Sequence, residues 1–497
     1  MKSIVEVKKT VARPEKVLQF GEGNFLRAFV DWQIDIANEK TGFNGNVVMV
    51  QPLAQGMAGM INEQKGLYTT VLRGIQKGEA VCDLRTITST SKCLNAYEQF
   101  DDYIGYASSK DLRFVISNTT EAGISYAEGC TLEQTPPASF PAKVTQFLYH
   151  RFKAFNGDTT KGLVFIPCEL IEKNGEKLHQ FVVQYAKEWK LGEAFLAWLD
   201  EACVFCNSLV DRIVPGYPKN EAAELCEKAG YQDNLLVAAE IFHLWVIETQ
   251  GDIESLKKEF PLADAGLNVI WTNDMSFYRT RKVRILNGAH TMFVPAAFQY
   301  GLDTVEESIK DPIIMAYLKK GLFEEIIPSM DGDKAALENY AGDVLERFAN
   351  PYIRHMLLDI TLNSTSKFKT RDLPSVIGYI EKKGKIPPAL SFSIASLISF
   401  YKGVNVKDRA MKGTRNGVDF LIKDDEDVLH FFEDLYAENN ASTEKGAKTI
   451  VKAVLSNTAF WAEDLSKSAV LENAVLAAFI EIQSKGMKQA ITEFVNL

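Results

Sequence analysis

Nowhere in its 497 residues does the chain hold an apolar run approaching the about eighteen residues that a membrane-spanning helix needs. Its first twenty residues, MKSIVEVKKTVARPEKVLQF, lack the apolar stretch and small-residue cleavage site of a secretory leader. A cytoplasmic protein without membrane contact is therefore expected. Positive charge is not in excess: 55 Lys and Arg face 65 Asp and Glu, for a net charge of -10. That excludes a general nucleic-acid binder, which needs a basic face to displace phosphate counterions. An anionic ligand has to meet local cations instead. Cysteine is sparse, and its count of 7 is odd, so reduced thiols are expected rather than a disulfide framework. The single CxxC, Cys203 and Cys206, has no second pair of thiols or imidazoles at zinc spacing, and no metal is expected. Low-complexity tracts and fixed-period repeats are missing as well, which excludes long disordered segments and solenoids.

What remains is an ordinary globular composition, 46% hydrophobic and 24% charged. Single cores stop growing at roughly 250 to 300 residues, so two domains are expected. The first half alternates short apolar runs, at residues 16–20, 47–50, 114–117 and 162–167, with helical patterns at 25–39 and 141–155. This is the pattern of a mainly parallel sheet covered by helices. From about residue 283 onward the character changes to amphipathic segments near 312–323, 335–347, 388–401, 427–438 and 468–494. The expected fold is α/β: an N-terminal Rossmann-type doubly wound sheet over 1–279, then a mainly α-helical domain over 280–497, with the site in the cleft between them.

Chemistry is written at three places. Gly21-Glu22-Gly23-Asn24-Phe25-Leu26-Arg27 follows a strand and opens a helix. Glycines there let a dinucleotide pyrophosphate approach the backbone, the helix N-terminus offers N–H donors, and Arg27 adds charge one turn in. Leu26 stands where G-x-G-x-x-G has its third glycine, so a plain tight turn remains the competing reading. The second strand ends at Val50-Gln51-Pro52 without the acid that often holds the ribose 2′-hydroxyl, which leaves NAD and NADP open. Further on, the strand Phe114–Ser117 runs into Asn118 and Thr119, which either bind ribose or nicotinamide or merely cap the next helix.

The third place is Lys282-x4-Asn287-x2-His290. On a regular helix these residues fall at about 0°, 140° and 80°, able to face one cleft. A lysine there suits proton exchange with a substrate oxygen. An asparagine N–H suits an oxygen gaining negative charge, and a histidine suits orienting the substrate or relaying a proton. The bland alternative is a surface lysine, a helix-weakening asparagine and a core histidine.

Taken in order with Phe20 before the glycine turn, Gly66-Leu67-Tyr68-Thr69, Pro167-Cys168-Glu169 with Asn174-Gly175, and Val210-Asp211-Arg212-Ile213-Val214-Pro215, these segments resemble the polyol-specific long-chain dehydrogenases, the mannitol dehydrogenase family, along nearly the whole chain. The resemblance implies an NAD-dependent dehydrogenase with Lys282 as general acid/base, Asn287 in the oxyanion-binding set, His290 orienting substrate, and no metal. It implies cofactor contacts at Phe20, Gly21, Gly23, Asn24, Phe25, Arg27, Asn118 and Thr119, and substrate contacts at Glu169, Asn174 and Asp211, with Asp211 and Arg212 as a possible ion pair. Two positions depart from the family: Cys203 replaces an aliphatic residue, and Leu170 follows Glu169 where polyol-oxidising members carry asparagine. The likeness leans toward uronate reductases, so a keto-uronate is the expected small-molecule substrate. Lys367, Lys369 and Arg371 are the candidate clamp for its carboxylate, against a solvated basic loop. The alternatives are another keto-uronate or a neutral polyol as substrate and, from a different class, a catalytically silent nicotinamide-binding sensor. A monomer or small homo-oligomer is expected.

Overall fold

The computed structural model describes residues 1–76 and 78–496, which divide into two compact units, Met1–Met275 and Ser276–Leu497. No helix among the described residues is long and apolar enough to cross a membrane.

Twelve described strands run through the first unit in chain order: β1 (Glu15–Phe20), β2 (Asn46–Gln51), β3 (Tyr68–Gln76), β4 (Glu79–Ile87), β5 (Thr90–Asn95), β6 (Phe114–Ser117), β7 (Val164–Pro167), β8 (Val204–Phe205), β9 (Asn207–Asp211), β10 (Val237–Glu240), β11 (Leu244–Glu248) and β12 (Val269–Thr272). Six of them form one sheet in the order β5-β2-β1-β6-β7-β8, every neighbouring pair parallel. This is the doubly wound order, which reverses direction between β1 and β6 and opens a ligand crevice at the carboxyl ends of those strands. The strands read as near-continuous apolar runs because both faces are covered. Val17, Val47, Met49, Ile116 and Ile166 enter the core on one side, and Leu18, Phe20, Val48, Val50, Val115 and Phe165 the core on the other. Two smaller sheets, β10-β3-β4 and β12-β11-β9, complete the unit.

The second unit is built around the helix Pro388–Phe400, which packs against Gly288–Tyr300 and Ala469–Lys485. Nearly every residue of Pro388–Phe400 and of Gly288–Tyr300 is buried, as expected of helices that are apolar all round. Two sequence expectations need correction here. The segment 468–494 is broken at Gly486, whose φ of 79° ends one helix and starts Met487–Val495. The unit also contains an antiparallel sheet, β13 (Gly403–Lys407), β14 (Ala410–Arg415) and β15 (Val418–Lys423).

Candidate active site

In the first unit the chain leaves β1 through Gly21, whose φ of 116° favours glycine. A Cβ there would lie 2.9 Å from the Asn118 carbonyl oxygen and 3.2 Å from Leu26 Cδ1. Gln19 holds the turn from below, its Nε2 donating to the Gly21 carbonyl and to Asp31. Tyr68 adds to this brace by donating to Asp31 and to the Arg27 carbonyl. Gly23 caps the following helix, and the space its Cβ would occupy is open to 4 Å. A closed-in first glycine beside an open second one is the cradle a pyrophosphate needs. It opens on a cavity of about 580 Å³ whose lining includes Gly21, Glu22, Gly23, Asn118, Thr119 and Lys143.

The other expected cofactor residues sit elsewhere. Phe20 is in the core against Tyr103 and Phe140. Phe25 stacks on Phe29, and Asn24 accepts from Arg27. Arg27 is itself buried and gives its remaining donors to the Glu22 and Leu235 carbonyls, over the Tyr68 ring. It is a cross-brace, because a guanidinium under the sheet finds carbonyls closer than any phosphate. Leu26 fills the core directly after the turn, and the chain then widens into a π-helical turn, Arg27–Asp31.

Glu169 and Asn174 also have different work from that expected. The buried Glu169 carboxylate accepts from Ser117 Oγ at 3.0 Å, Thr119 N–H at 2.8 Å and Thr119 Oγ1 at 2.9 Å, tying the ends of β6 and β7. Burial raises its pKa against these bonds. Asn174 is fully buried, donating to the carbonyls of Pro167, Glu169 and Ser208 and accepting from Gly175 and Ser208 N–H. Both side chains are thus engaged within the fold, Glu169 by two hydroxyls and one N–H and Asn174 by backbone groups. Asp211 closes β9 and is buried. Arg212 spends its guanidinium on the Glu240, Ala28 and Ile241 carbonyls above the Trp32 ring, and burial brings its pKa down to about 9. The CxxC thiols are buried, and burial raises both to about 12. The described residues hold no group of three metal-ligating side chains.

In the second unit Lys282–Asn287 is a π-helical turn, with Gly288 N–H reaching back five residues to the Val283 carbonyl. The positions expected from a regular helix therefore do not apply, since one extra residue widens the turn and re-aims Lys282 and Asn287. Both are half-buried. His290, in the regular helix that follows, stacks on Phe348 with ring centroids 4.0 Å apart and meets His355 edge-on at 5.3 Å. Its Nε2 is buried and has no hydrogen-bond partner among the described residues. Burial lowers its pKa well below the usual value, helped by His355, Arg371, Arg347 and Lys367. A neutral imidazole thus lies among three basic side chains and a second histidine whose own pKa burial lowers.

The helix Ser364–Arg371 divides the three expected clamp residues. Lys367 and Arg371, one turn apart, are the two that act on His290. Lys367 Nζ donates to the Ile360 carbonyl, and Arg371 donates to Thr291 Oγ1. Lys369 points away and lines a separate cavity of about 480 Å³ with Arg284, Asp331 and Lys382. Arg347 and His355 were missed in the sequence because they lie on segments distant from the helix they face. Glu22 and Lys143 were missed for different reasons. The first was hidden between two glycines, and the second only the fold brings to the cavity.

Comparison with known proteins matches two family models, the Mannitol dehydrogenase Rossmann domain over residues 15–258 and the Mannitol dehydrogenase C-terminal domain over residues 274–483. The chain is 44% identical to an altronate oxidoreductase of Bacteroides thetaiotaomicron, covering 98% of each chain. It is 46% identical to an altronate oxidoreductase of Escherichia coli, covering 96% of each. Its fold is similar to that of a substrate-free D-sorbitol dehydrogenase (TM-score 0.77, 22% identity, 99% and 100% covered). It is also similar to Pseudomonas fluorescens mannitol 2-dehydrogenase in a ternary complex with NAD and D-mannitol (TM-score 0.63, 20% identity, 97% and 95% covered).

Proposed function

The chain belongs to the mannitol dehydrogenase family, and from that premise we propose that it is an altronate oxidoreductase, interconverting the keto-uronate D-tagaturonate and D-altronate with NAD(H). The observation that carries the substrate class is the neutral His290 with an unpartnered Nε2 set among Arg347, His355, Lys367 and Arg371. Three of these, Arg347, Lys367 and Arg371, are basic side chains, and such a concentration of positive charge complements a carboxylated sugar rather than a neutral polyol. The names of the two relatives point the same way.

The open cradle at Gly21 and Gly23 fits a dinucleotide pyrophosphate. A nicotinamide dinucleotide held there supplies or accepts the hydride. The remaining work belongs to this chain's side chains. Lys282, as ammonium, gives its proton to the substrate oxygen as that oxygen becomes an alkoxide, and as amine takes the hydroxyl proton back in the oxidative direction. Asn287 donates an N–H to the same oxygen, where charge develops. His290 uses Nε2 to hold a sugar hydroxyl without itself carrying charge, and Lys367 and Arg371 grip the carboxylate.

NADH oxidation followed with tagaturonate, fructuronate and fructose side by side tests this. Tagaturonate is expected to turn over fastest and fructose barely, and no turnover of either uronate overturns the substrate class. Replacing Lys282 by Ala is expected to lower kcat by about 100-fold or more while NADH binding stays as it was.

A further inference from the structure

In dinucleotide-binding sheets an acid at the end of the second strand commonly holds the adenosine ribose. Here β2 ends in Gln51, and its amide is already committed. Nε2 donates to the Leu53 and Ala54 carbonyls at 2.8 and 3.0 Å, and Oε1 accepts from Ala58 N–H at 3.0 Å. A carboxylate nevertheless reaches this place from the neighbouring strand. Glu22, between the two turn glycines, lines the cavity and is 9% exposed. Its Oε1 accepts from Met57 N–H in the loop after β2, and a side chain at Gly56 would collide with Oε1 and with Gln51. Apart from Met57 and the N–H of Glu22 itself, no hydrogen-bond donor among the described residues is assigned to the carboxylate. Among the described residues the only other charged side chain lining the cavity is Lys143, whose Nζ donates to the Ala138 carbonyl and the Tyr97 hydroxyl.

We propose that Glu22 selects the cofactor: its carboxylate accepts from the hydroxyls of the adenosine ribose and excludes a 2′-phosphate, the work that the end of β2 does not do. This rests on the reading of the cavity as a dinucleotide site. A ribose hydroxyl has a donor to offer Oε2, whereas a 2′-phosphate brings only acceptors and like charge to a desolvated carboxylate.

The test is direct binding, read from reduced-nicotinamide fluorescence on titrating the protein with NADH and with NADPH. Wild type is expected to favour NADH by about ten-fold or more, and Glu22→Gln, which keeps the acceptor for Met57, to narrow that ratio by about ten-fold. Glu22→Asp, which keeps the charge on a shorter arm, is expected to weaken NADH while still excluding NADPH. Lys143→Met is expected to leave the ratio as it is. An unchanged ratio in Glu22→Gln, a wild type that prefers NADPH, or a ratio that moves with Lys143 and not with Glu22 overturns the proposal. Failure of wild type to bind either dinucleotide overturns the underlying reading of the cavity instead.

Discussion

His290 is kept neutral twice over, by burial and by the positive neighbours Arg371, Arg347 and Lys367. Burial lowers the pKa of Lys367 and of Arg371, so both cations are partly desolvated, and the nearby carboxylates, Asp424 for Lys367 and Asp372 for Arg371, offset this only in part. On the proposed reading a substrate carboxylate adds further counter-charge, and the gain appears only with a charged substrate. Lys367→Met and Arg371→Met are each expected to raise KM for tagaturonate by about ten- to a hundred-fold, the worth of a charge-assisted hydrogen bond, while leaving KM for fructose nearly unchanged. Steady-state kinetics on the two substrates decide the matter. Equal effects on both would assign the residues to the helix rather than to the carboxylate. The same comparison predicts Lys369→Met to be silent, because that side chain lines a different cavity.

Two of the described π-helical turns adjoin functional segments, Arg27–Asp31 after the glycine turn and Lys282–Asn287 at the acid/base lysine. An inserted residue widens the turn, and the strain is tolerated where it aims side chains. Gly288 closes the second of these turns, and a Cβ on it would lie 2.7 Å from Asp372 Oδ1. Gly288→Ala is expected to cost about 1–3 kcal/mol of stability by overpacking and to lower kcat together with it, measured by urea unfolding and turnover. A variant of unchanged stability and rate would show that the turn has slack. The same insertion explains what the sequence could not reveal. An apolar period of 3.6 residues runs straight through a π turn, so the helix was legible but not the direction of Lys282 and Asn287. The four central strands were legible because burial on both faces makes them apolar runs, as in β2 with all six residues buried. β4 was not, since its Glu79, Asp83 and Arg85 interrupt any pattern, nor was β15, of which only Ile422 is fully buried. Glu169 and Asn174 have the residue types of ligands, and only the Ser117 hydroxyl, the Thr119 N–H and the Ser208 carbonyl, distant in sequence, reveal that they are pins.

Over the whole chain, carboxyl groups buried in both units make one contribution to the dependence of stability on pH. Asp31 is fully buried in the first, and burial pushes its pKa up to about 7 against hydrogen bonds from Tyr68 and Gln19. Glu325, in the second, is likewise pushed up to about 7 by burial, against the Ala389 and Leu390 amides it accepts from. In the unfolded chain both titrate near pH 4. Between about pH 4 and about pH 7 these two carboxyl groups therefore hold more protons in the folded protein than in the unfolded one, so their contribution to stability falls as pH rises through this window, and the loss is complete above the folded values. For Asp31 the rise from 3.8 to about 7 corresponds to roughly 4 kcal/mol. The histidines His243, His290 and His355, whose pKa values burial lowers, act in the opposite sense within the acidic part of this window, and exposed acids with lowered pKa values, such as Asp331 and Asp419, do so below it. Asp31→Asn keeps the shape of the side chain and removes its titration. Measured at about pH 5.5 and about pH 8, the urea midpoint of this variant should rise relative to that of the wild type as pH increases, because the variant is spared the cost of ionising Asp31. A variant whose midpoints track the wild type at both values would mean that Asp31 keeps one protonation state across the range, and that its burial is compensated in full by Tyr68, Gln19 and Arg27.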